Sequence, residues 1–418
     1  MNHDGPAATA TAPGQAPSPA AAFGILASLL APVATSDFLD DTWGRSHRFI
    51  HRRDPDHYRD LFTLGDIDRC ISIGRGHSKV ILSLIGALGS GQPSSQGPIT
   101  EDSLHKAYQC FTAGNTLRIV GLESIWPPLT EMTLALNAAL GGVSHTNAYL
   151  TPPSSQGFAA HFDYHDVFIL QISGAKEWFV YDPDRDHPVD LEYAKVWNAS
   201  DVDESTLHLR ERARLEQGDL LYIPRGFYHK ALTSDVHSLH LTVSVDPLCW
   251  VTVLQKALEI ACVDLPELRY ALPHDFLSRP EKHGGLEDTF RSLLELFARG
   301  ASYEKTVTRL QGRKHSPLRH PPDGHFSDLV ALPAIGPQSL LERRAGMRPE
   351  TGQEGAEAYL DFGWSRIKGP AHLAPAFDFV RERSSFRVHE LPGSLSENSQ
   401  VTLARRFVRD GLLRIAEI

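Results

Sequence analysis

The chain has 418 residues, 41% hydrophobic and 22% charged, which gives volume for two or three domains and no support for wholesale disorder, a collagen-like repeat or a coiled coil. Forty-one Lys plus Arg against fifty-one Asp plus Glu leave a formal charge of −10, the wrong sign for a chain built mainly to neutralise nucleic-acid phosphates or to coat an anionic membrane. No run of eighteen apolar residues occurs, so no membrane span is expected. Asp4 and the lack of any Lys or Arg ahead of the apolar stretch Phe23 to Val33 argue against a secretory signal. Cys70, Cys110, Cys249 and Cys262 form no CxxC pair, so free thiols in a reducing, cytoplasmic setting are expected.

Residues 1–34 are dominated by Ala, Pro, Gly, Thr and Ser and read as a disordered tail, because such side chains bury too little to offset the entropy of ordering. From Ser36-Asp37, which suit a helix cap, Phe38, Leu39 and Trp43 offer an apolar face, and Phe49-Ile50 reads as a strand. Gly89 to Gly97 reads as a loop, followed by amphipathic helices at about 101–111 and 129–140. From Thr146 to about Val245 the pattern turns to short β-type runs, at 147–150, 167–172, 177–181, 219–223 and 239–245, which predicts an all-β barrel or double sheet. Helical spacing returns at 251–263 and 286–298, and the stretch from about 340 reads as helix, helix, helix and strand. The predicted organisation is therefore a tail (1–34), a β catalytic domain with helices ahead of it (35–246), a helical domain (247–335) and a small terminal module (336–418).

Within the β region stands His161-Phe162-Asp163. Residues two apart on a strand share a face, so this imidazole and carboxylate can converge on one metal ion. By itself the H-x-D spacing is weak. Downstream, Gly218-Asp219-Leu220-Leu221-Tyr222-Ile223-Pro224-Arg225-Gly226-Phe227-Tyr228-His229 reads G-x5-P-x-G-x2-H, two turns flanking a buried strand and aiming His229 back into the barrel. This is the second cupin motif, and two His with one carboxylate make the facial triad of non-haem Fe(II) oxygenases. His165 is read as a bystander, since four residues along a strand carry it about 13 Å from His161; His237 is read as solvated in a turn.

In these residues the chain resembles the JmjC-type cupin oxygenases, which use Fe(II) and 2-oxoglutarate, and among them the ribosomal oxygenases, which hydroxylate ribosomal proteins. The likeness is carried by Asn147-Ala148-Tyr149, by His161-Phe162-Asp163 with Asp166 to Gln171 after it, by Gly174-Ala175-Lys176-Glu177-Trp178, by Pro224 to His229 and by His237 to Ser244. It implies a JmjC-type double-stranded β-helix (cupin jelly roll) with flanking helices, a helical, dimerisation-like domain that makes the protein a homodimer, and a winged-helix-like C-terminal module. It also implies His161, Asp163 and His229 as metal ligands and catalytic centre. Lys176 then pairs with the distal carboxylate of 2-oxoglutarate, a role for which an ammonium in a barrel is suited, since a buried charge needs a counter-ion. Asn147, Tyr149, His240 and Ser244 take positions that line the co-substrate and substrate pocket. The first Arg after His229 is Arg269, so the arrangement in which an Arg soon after the distal His holds the co-substrate is absent.

The implied reaction consumes 2-oxoglutarate and O2, yields succinate and carbon dioxide, and hydroxylates a side chain, His or Arg, of a protein or peptide substrate such as a ribosomal protein. The alternatives are another peptide substrate, N-methyl-lysine demethylation at the same centre, and a small-molecule cupin, for which three His and a Glu would be more usual. A winged helix raises the question of DNA, but residues 340–418 carry twelve Lys plus Arg against eleven Asp plus Glu. That net of +1 is a poor footprint for direct nucleic-acid binding.

Overall fold

The computed structural model describes residues 19–85, 93–155, 158–183, 187–189, 202–282, 284–313, 324–344, 347, 349–362 and 365–418. Contacts divide the chain into two compact units, Met1–Pro247 with Pro317–Ile418, and Leu248–Ser316.

Up to Pro247, the described residues of the first unit form ten strands: β1 (Arg48–Ile50), β2 (Ile81–Ile85), β3 (Pro93–Pro98), β4 (Thr116–Val120), β5 (Val143–Thr151), β6 (Asp166–Pro183), β7 (Leu209–Glu216), β8 (Leu220–Ile223), β9 (Phe227–Leu232) and β10 (Ser238–Asp246). All pair antiparallel. The main sheet runs β1-β8-β6-β10-β5-β4-β2-β3, while β7 and β9 flank the second half of β6. One long strand thus serves two layers, with the site between them.

Two separate runs were expected at 167–172 and 177–181; the chain instead makes one continuous strand. Its first half alternates Val167 and Ile169 into the cavity, but its second half points Lys176 and Trp178 inward. The change of parity comes from an irregularity opposite Leu239/His240, where the register passes from Gln171 to Ser173 and skips Ile172. One extra residue turns every later side chain to the other face. Gly174 lies at φ +65°, and an added Cβ would run into the carbonyl oxygen of His237. Only glycine fits where β6 bends from one layer to the other.

The other face of the main sheet carries Ala148, Phe168, Leu170, Leu239, Leu241, Val243 and Val245 into the largest core, together with helices Pro19–Leu30, Asp66–Ile73, Glu101–Thr112 and Pro127–Leu140. Here the expected tail is corrected. Residues 19–30 form a helix whose Ala22, Leu26 and Leu30 are fully buried, and each such leucine contributes about 2 kcal/mol; the reading of 1–18 falls outside the described residues. Part of the expected loop at 89–97 is strand β3, and 86–92 lie outside the description.

The unit Leu248–Ser316 holds helices Trp250–Asp264, Leu286–Gly300 and Tyr303–Arg313, so residues 324–335 belong to the first unit and not to a helical domain ending at 335. The C-terminal region has its own core around Leu341, Leu360, Phe377, Val380, Phe386 and Phe407. It contains helices Ala374–Glu382 and Glu397–Arg409, and six strands: β11 (Leu340–Arg343), β12 (Glu350–Glu354), β13 (Glu357–Asp361), β14 (Arg366–Pro370), β15 (Ser385–Arg387) and β16 (Leu413–Glu417). These make two three-stranded sheets, β15-β11-β16 and β12-β13-β14, so the expected run of three helices and a strand is too helical.

Candidate metal centre and co-substrate cavity

His161 and His229 face each other across a narrow antiparallel pair: the His161 N–H donates to the His229 carbonyl at 3.1 Å, and the His229 N–H donates back at 2.8 Å. The residues beside them anchor the pair. Phe162 and Tyr228 turn the opposite way and pack edge to face, centroids 5.3 Å apart, which commits His161, Asp163 and His229 to the inner side. The turn before β9 is tied in by the Gly226 N–H, which donates to the Asp163 carbonyl at 3.0 Å; Gly226 sits at φ +87°.

Ligand atoms of His161, Asp163 and His229 lie within 4.8 Å of one another, with His229 Nε2 3.7 Å from Asp163 Oδ2. Each imidazole has its other nitrogen against a carbonyl: His161 Nδ1 lies 2.9 Å from the oxygen of Ala159, and His229 Nδ1 3.1 Å from that of Phe227. A carbonyl only accepts, so both Nδ1 atoms carry the proton and both Nε2 lone pairs face the gap. Burial holds the His229 imidazole down at about 4, hence neutral. Burial pushes the Asp163 carboxyl up, but His165, His161, His229 and Arg118 outweigh it and keep the group below its ordinary value, hence ionised. Two imidazole Nε2 atoms and a carboxylate would fit a divalent first-row ion such as Fe(II) and would leave three of six positions open.

The triad opens into a cavity of about 260 Å³ whose wall includes Lys176, Asn147, Tyr149, Trp178, His240 and Thr242. Lys176 is 5% exposed and donates to Thr151 Oγ1 at 3.0 Å. Burial lowers its ammonium to about 7, with no carboxylate at ion-pair distance among the described residues. His240 stacks on Tyr149, rings 5.0 Å apart and nearly parallel, and Trp178 meets it edge-on at 5.4 Å. Burial, with help from the Lys176 charge, keeps His240 neutral. The Trp178 indole N–H and His240 Nδ1 have no partner among the described residues. An uncompensated buried ammonium is costly unless an anion occupies the space, and one carboxylate of a short dicarboxylate bound beside the three donors would meet that need.

Of the expected site residues, the structure brings together His161, Asp163, His229, Lys176, Asn147, Tyr149 and His240. Asn147 Oδ1 also accepts from the Gly121 N–H at 3.3 Å. Ser244 is not on the wall: it lies two residues beyond Thr242 along β10, where its hydroxyl donates to the His145 carbonyl at 3.3 Å. His165 is corrected too. Residues 162–165 are irregular chain and not strand, so the 13 Å separation does not apply and His165 reaches the cavity wall. His237 is half-buried and bonded to Ser173 Oγ at 3.0 Å. Arg118 on β4 and Trp178 on β6 were missed. Trp178 was accessible as the same-face neighbour of Lys176, whereas Arg118 had no signal without β4.

The fold is of cupin type, and its cavity brings together two histidines and one carboxylate that could hold a metal ion. Residues 131–252 match the family model described as JmjC domain. Ribosomal oxygenase 1 of Rattus norvegicus is 34% identical over 256 residues, which are 60% of this chain and 42% of that protein. The Dictyostelium discoideum protein named bifunctional lysine-specific demethylase and histidyl-hydroxylase NO66 is 31% identical over 266 residues, 60% of this chain and 50% of that one. The chain thus spans half or less of the length of these relatives. Among solved structures, Escherichia coli YcfD is similar with a TM-score of 0.53 and 18% identity, covering 92% of this chain and 98% of that one. A YcfD structure titled as a ribosomal oxygenase in complex with cobalt and 2-oxoglutarate gives 0.50 and 19%, covering 92% and 99%. These structures establish likeness of fold.

Proposed function

We propose that the protein is an Fe(II)- and 2-oxoglutarate-dependent dioxygenase that hydroxylates a protein side chain, a His or Arg of a ribosomal protein. The observation that carries this reading is Lys176, a buried ammonium without an anion in the same cavity as three converging metal ligands. His161, Asp163 and His229 would hold the metal, Lys176 the distal carboxylate, and the Tyr149–His240 stack the wall between them. When bound, iron and 2-oxoglutarate supply O2-dependent decarboxylation to succinate coupled to insertion of one oxygen atom into a substrate C–H bond. The protein's part is to present the donors in one protonation state, orient the co-substrate and exclude water. The names of the relatives, ribosomal oxygenase 1 and NO66, support the choice of substrate.

The reading extends to a homodimer, supported by Trp250, Leu254, Leu258, Phe290 and Leu294, exposed on helices Trp250–Asp264 and Leu286–Gly300. It includes a winged-helix-like role for the C-terminal region in protein contact and not DNA reading, on its near-neutral charge, and a cytoplasmic location, on four free cysteines. No described helix is by itself long and apolar enough to cross a membrane. The test is to give anaerobically Fe(II)-loaded protein 2-oxoglutarate, O2 and a ribosomal protein fraction and to weigh the products. A gain of one oxygen atom on a ribosomal protein, absent with His161→Ala, supports the reading; an unmodified fraction with a metal-loaded enzyme overturns it.

A further inference from the structure

Strand β6 carries a buried polar side chain that is not on the cavity wall. Val167 and Ile169 point inward, and strand alternation calls for a third apolar residue at position 171. The chain has Gln171 there, with no exposed surface. A carboxamide so placed is costly unless its hydrogen bonds are made, and those bonds fall at the irregularity of β6.

The Gln171 Nε2 lies 2.9 Å from the Ser173 carbonyl, 3.3 Å from the Leu239 carbonyl and 3.0 Å from Ser238 Oγ. Carbonyls only accept, so the nitrogen end of the carboxamide faces them and donates. Gln171 and Ser173 stand on either side of Ile172, the residue that the pairing with β10 skips, and Leu239 is the partner of Ser173 at the shift. The side chain thus closes over the extra residue and ties it to the neighbouring strand. Its own backbone is fixed from the opposite side: the Gln171 N–H donates to the Asp219 carbonyl at 3.0 Å, and the Gln171 carbonyl accepts from the Gly218 N–H at 2.9 Å. Ile172 packs in the same core as Phe168 and Leu170, so alternation holds up to the skipped residue and changes just after it. The stapled step is the one that turns Lys176 and Trp178 into the cavity.

We propose that Gln171 is a positioning residue: its carboxamide holds the extra residue of β6 in place and so points Lys176 at the co-substrate, which Gln171 itself does not touch. This rests on the reading of Lys176 given above and assigns the side chain that fixes its direction.

The experiment is a double-substitution cycle. Co(II) and then 2-oxoglutarate are titrated calorimetrically into the full chain, with O2 excluded, for wild type, Gln171→Met, Lys176→Met and the pair. Gln171→Met keeps the length of the side chain and removes its donors. It should weaken 2-oxoglutarate binding about tenfold, the scale of a lost hydrogen bond that leaves its acceptors buried. Its Co(II) affinity should stay within about threefold of wild type, because the three donors lie outside β6. In the Lys176→Met background the same change should alter 2-oxoglutarate affinity by less than about twofold, since no ammonium is left to aim. Ser238→Ala, which spares both carbonyl bonds, should behave as wild type. A glutamine with a merely structural role gives equal losses in both backgrounds or loses Co(II) as well, and either result overturns the proposal, as does an unchanged 2-oxoglutarate affinity in Gln171→Met. If Gln171→Met does not fold, Gln171→Asn, with the same carboxamide one methylene shorter, takes its place under the same criteria. Wild type that binds Co(II) but no 2-oxoglutarate removes the reading of Lys176 and this proposal together; wild type that binds both, with an indifferent Gln171, removes this proposal alone.

Discussion

Replacing Lys176 with methionine keeps the apolar stem and removes the charge, and the consequence follows from the proton balance of the buried amine. Its ordinary value of 10.5 is lowered to about 7 by burial. Because the folded value lies below the unfolded one, the unfolded chain holds more protons between them, and stability rises as pH goes from about 7 to about 10.5. The penalty on the folded, ligand-free protein is about 4 kcal/mol at pH 7 and about 2 kcal/mol at pH 9. The lost bond to Thr151 offsets about 1 kcal/mol of it. Lys176→Met should therefore stabilise the ligand-free protein by about 3 kcal/mol at pH 7 and clearly less at pH 9, in denaturant titrations at both values. The same variant should bind 2-oxoglutarate at least about 100-fold more weakly, the scale for removing one partner of a buried ion pair. A variant no more stable than wild type at pH 7, with 2-oxoglutarate affinity kept within about threefold, would refute the view that Lys176 is a buried cation awaiting an anion.

Three further outcomes follow from the geometry. Asp163→Ala should abolish Co(II) binding in calorimetry while leaving the fold's circular dichroism unchanged, because the carboxylate contributes a ligand and its backbone carbonyl still receives the Gly226 N–H. Gly174→Ala should destabilise by about 3 kcal/mol in thermal unfolding, combining a left-handed backbone with a collision at His237, and should weaken 2-oxoglutarate binding because the bend places Lys176. Leu30→Ala should cost about 2–5 kcal/mol, since the side chain is fully buried in the core of the main sheet; an unchanged melting temperature would return residues 19–34 to the status of a tail.

The three converging donors were legible because each lies in a short local pattern: the H-x-D pair begins at the bridge between His161 and His229, and the Pro224 to Gly226 turn fixes the third. Lys176 was legible only with the family resemblance, since its inward direction depends on the skipped residue Ile172, which no alternation rule reveals. Gly174 looked like a break between two strands, yet its freedom at positive φ is what lets β6 continue. Ile81–Ile85 and Thr116–Val120 are five-residue runs that periodicity does not separate from other buried segments, so β2, β4 and with them Arg118 were lost. Helix Pro19–Leu30 was hidden by the Ala- and Pro-rich chain before it, although Ala22, Leu26 and Leu30 already mark one face at four-residue spacing. His165 was misplaced because strand geometry was applied to irregular chain. In the C-terminal region, β12 and β14 are too polar to announce a sheet that is held by Ala358, Leu360 and Ile367 from one side.

The central claim is that three ligands and Lys176 form one binding unit, and the most direct test is calorimetric titration of 2-oxoglutarate into the anaerobic protein with and without Fe(II). One metal ion per chain, with 2-oxoglutarate binding that needs the metal and is lost in both Asp163→Ala and Lys176→Met, is the expected result. Binding of 2-oxoglutarate that is indifferent to metal, or that survives both substitutions, would contradict it.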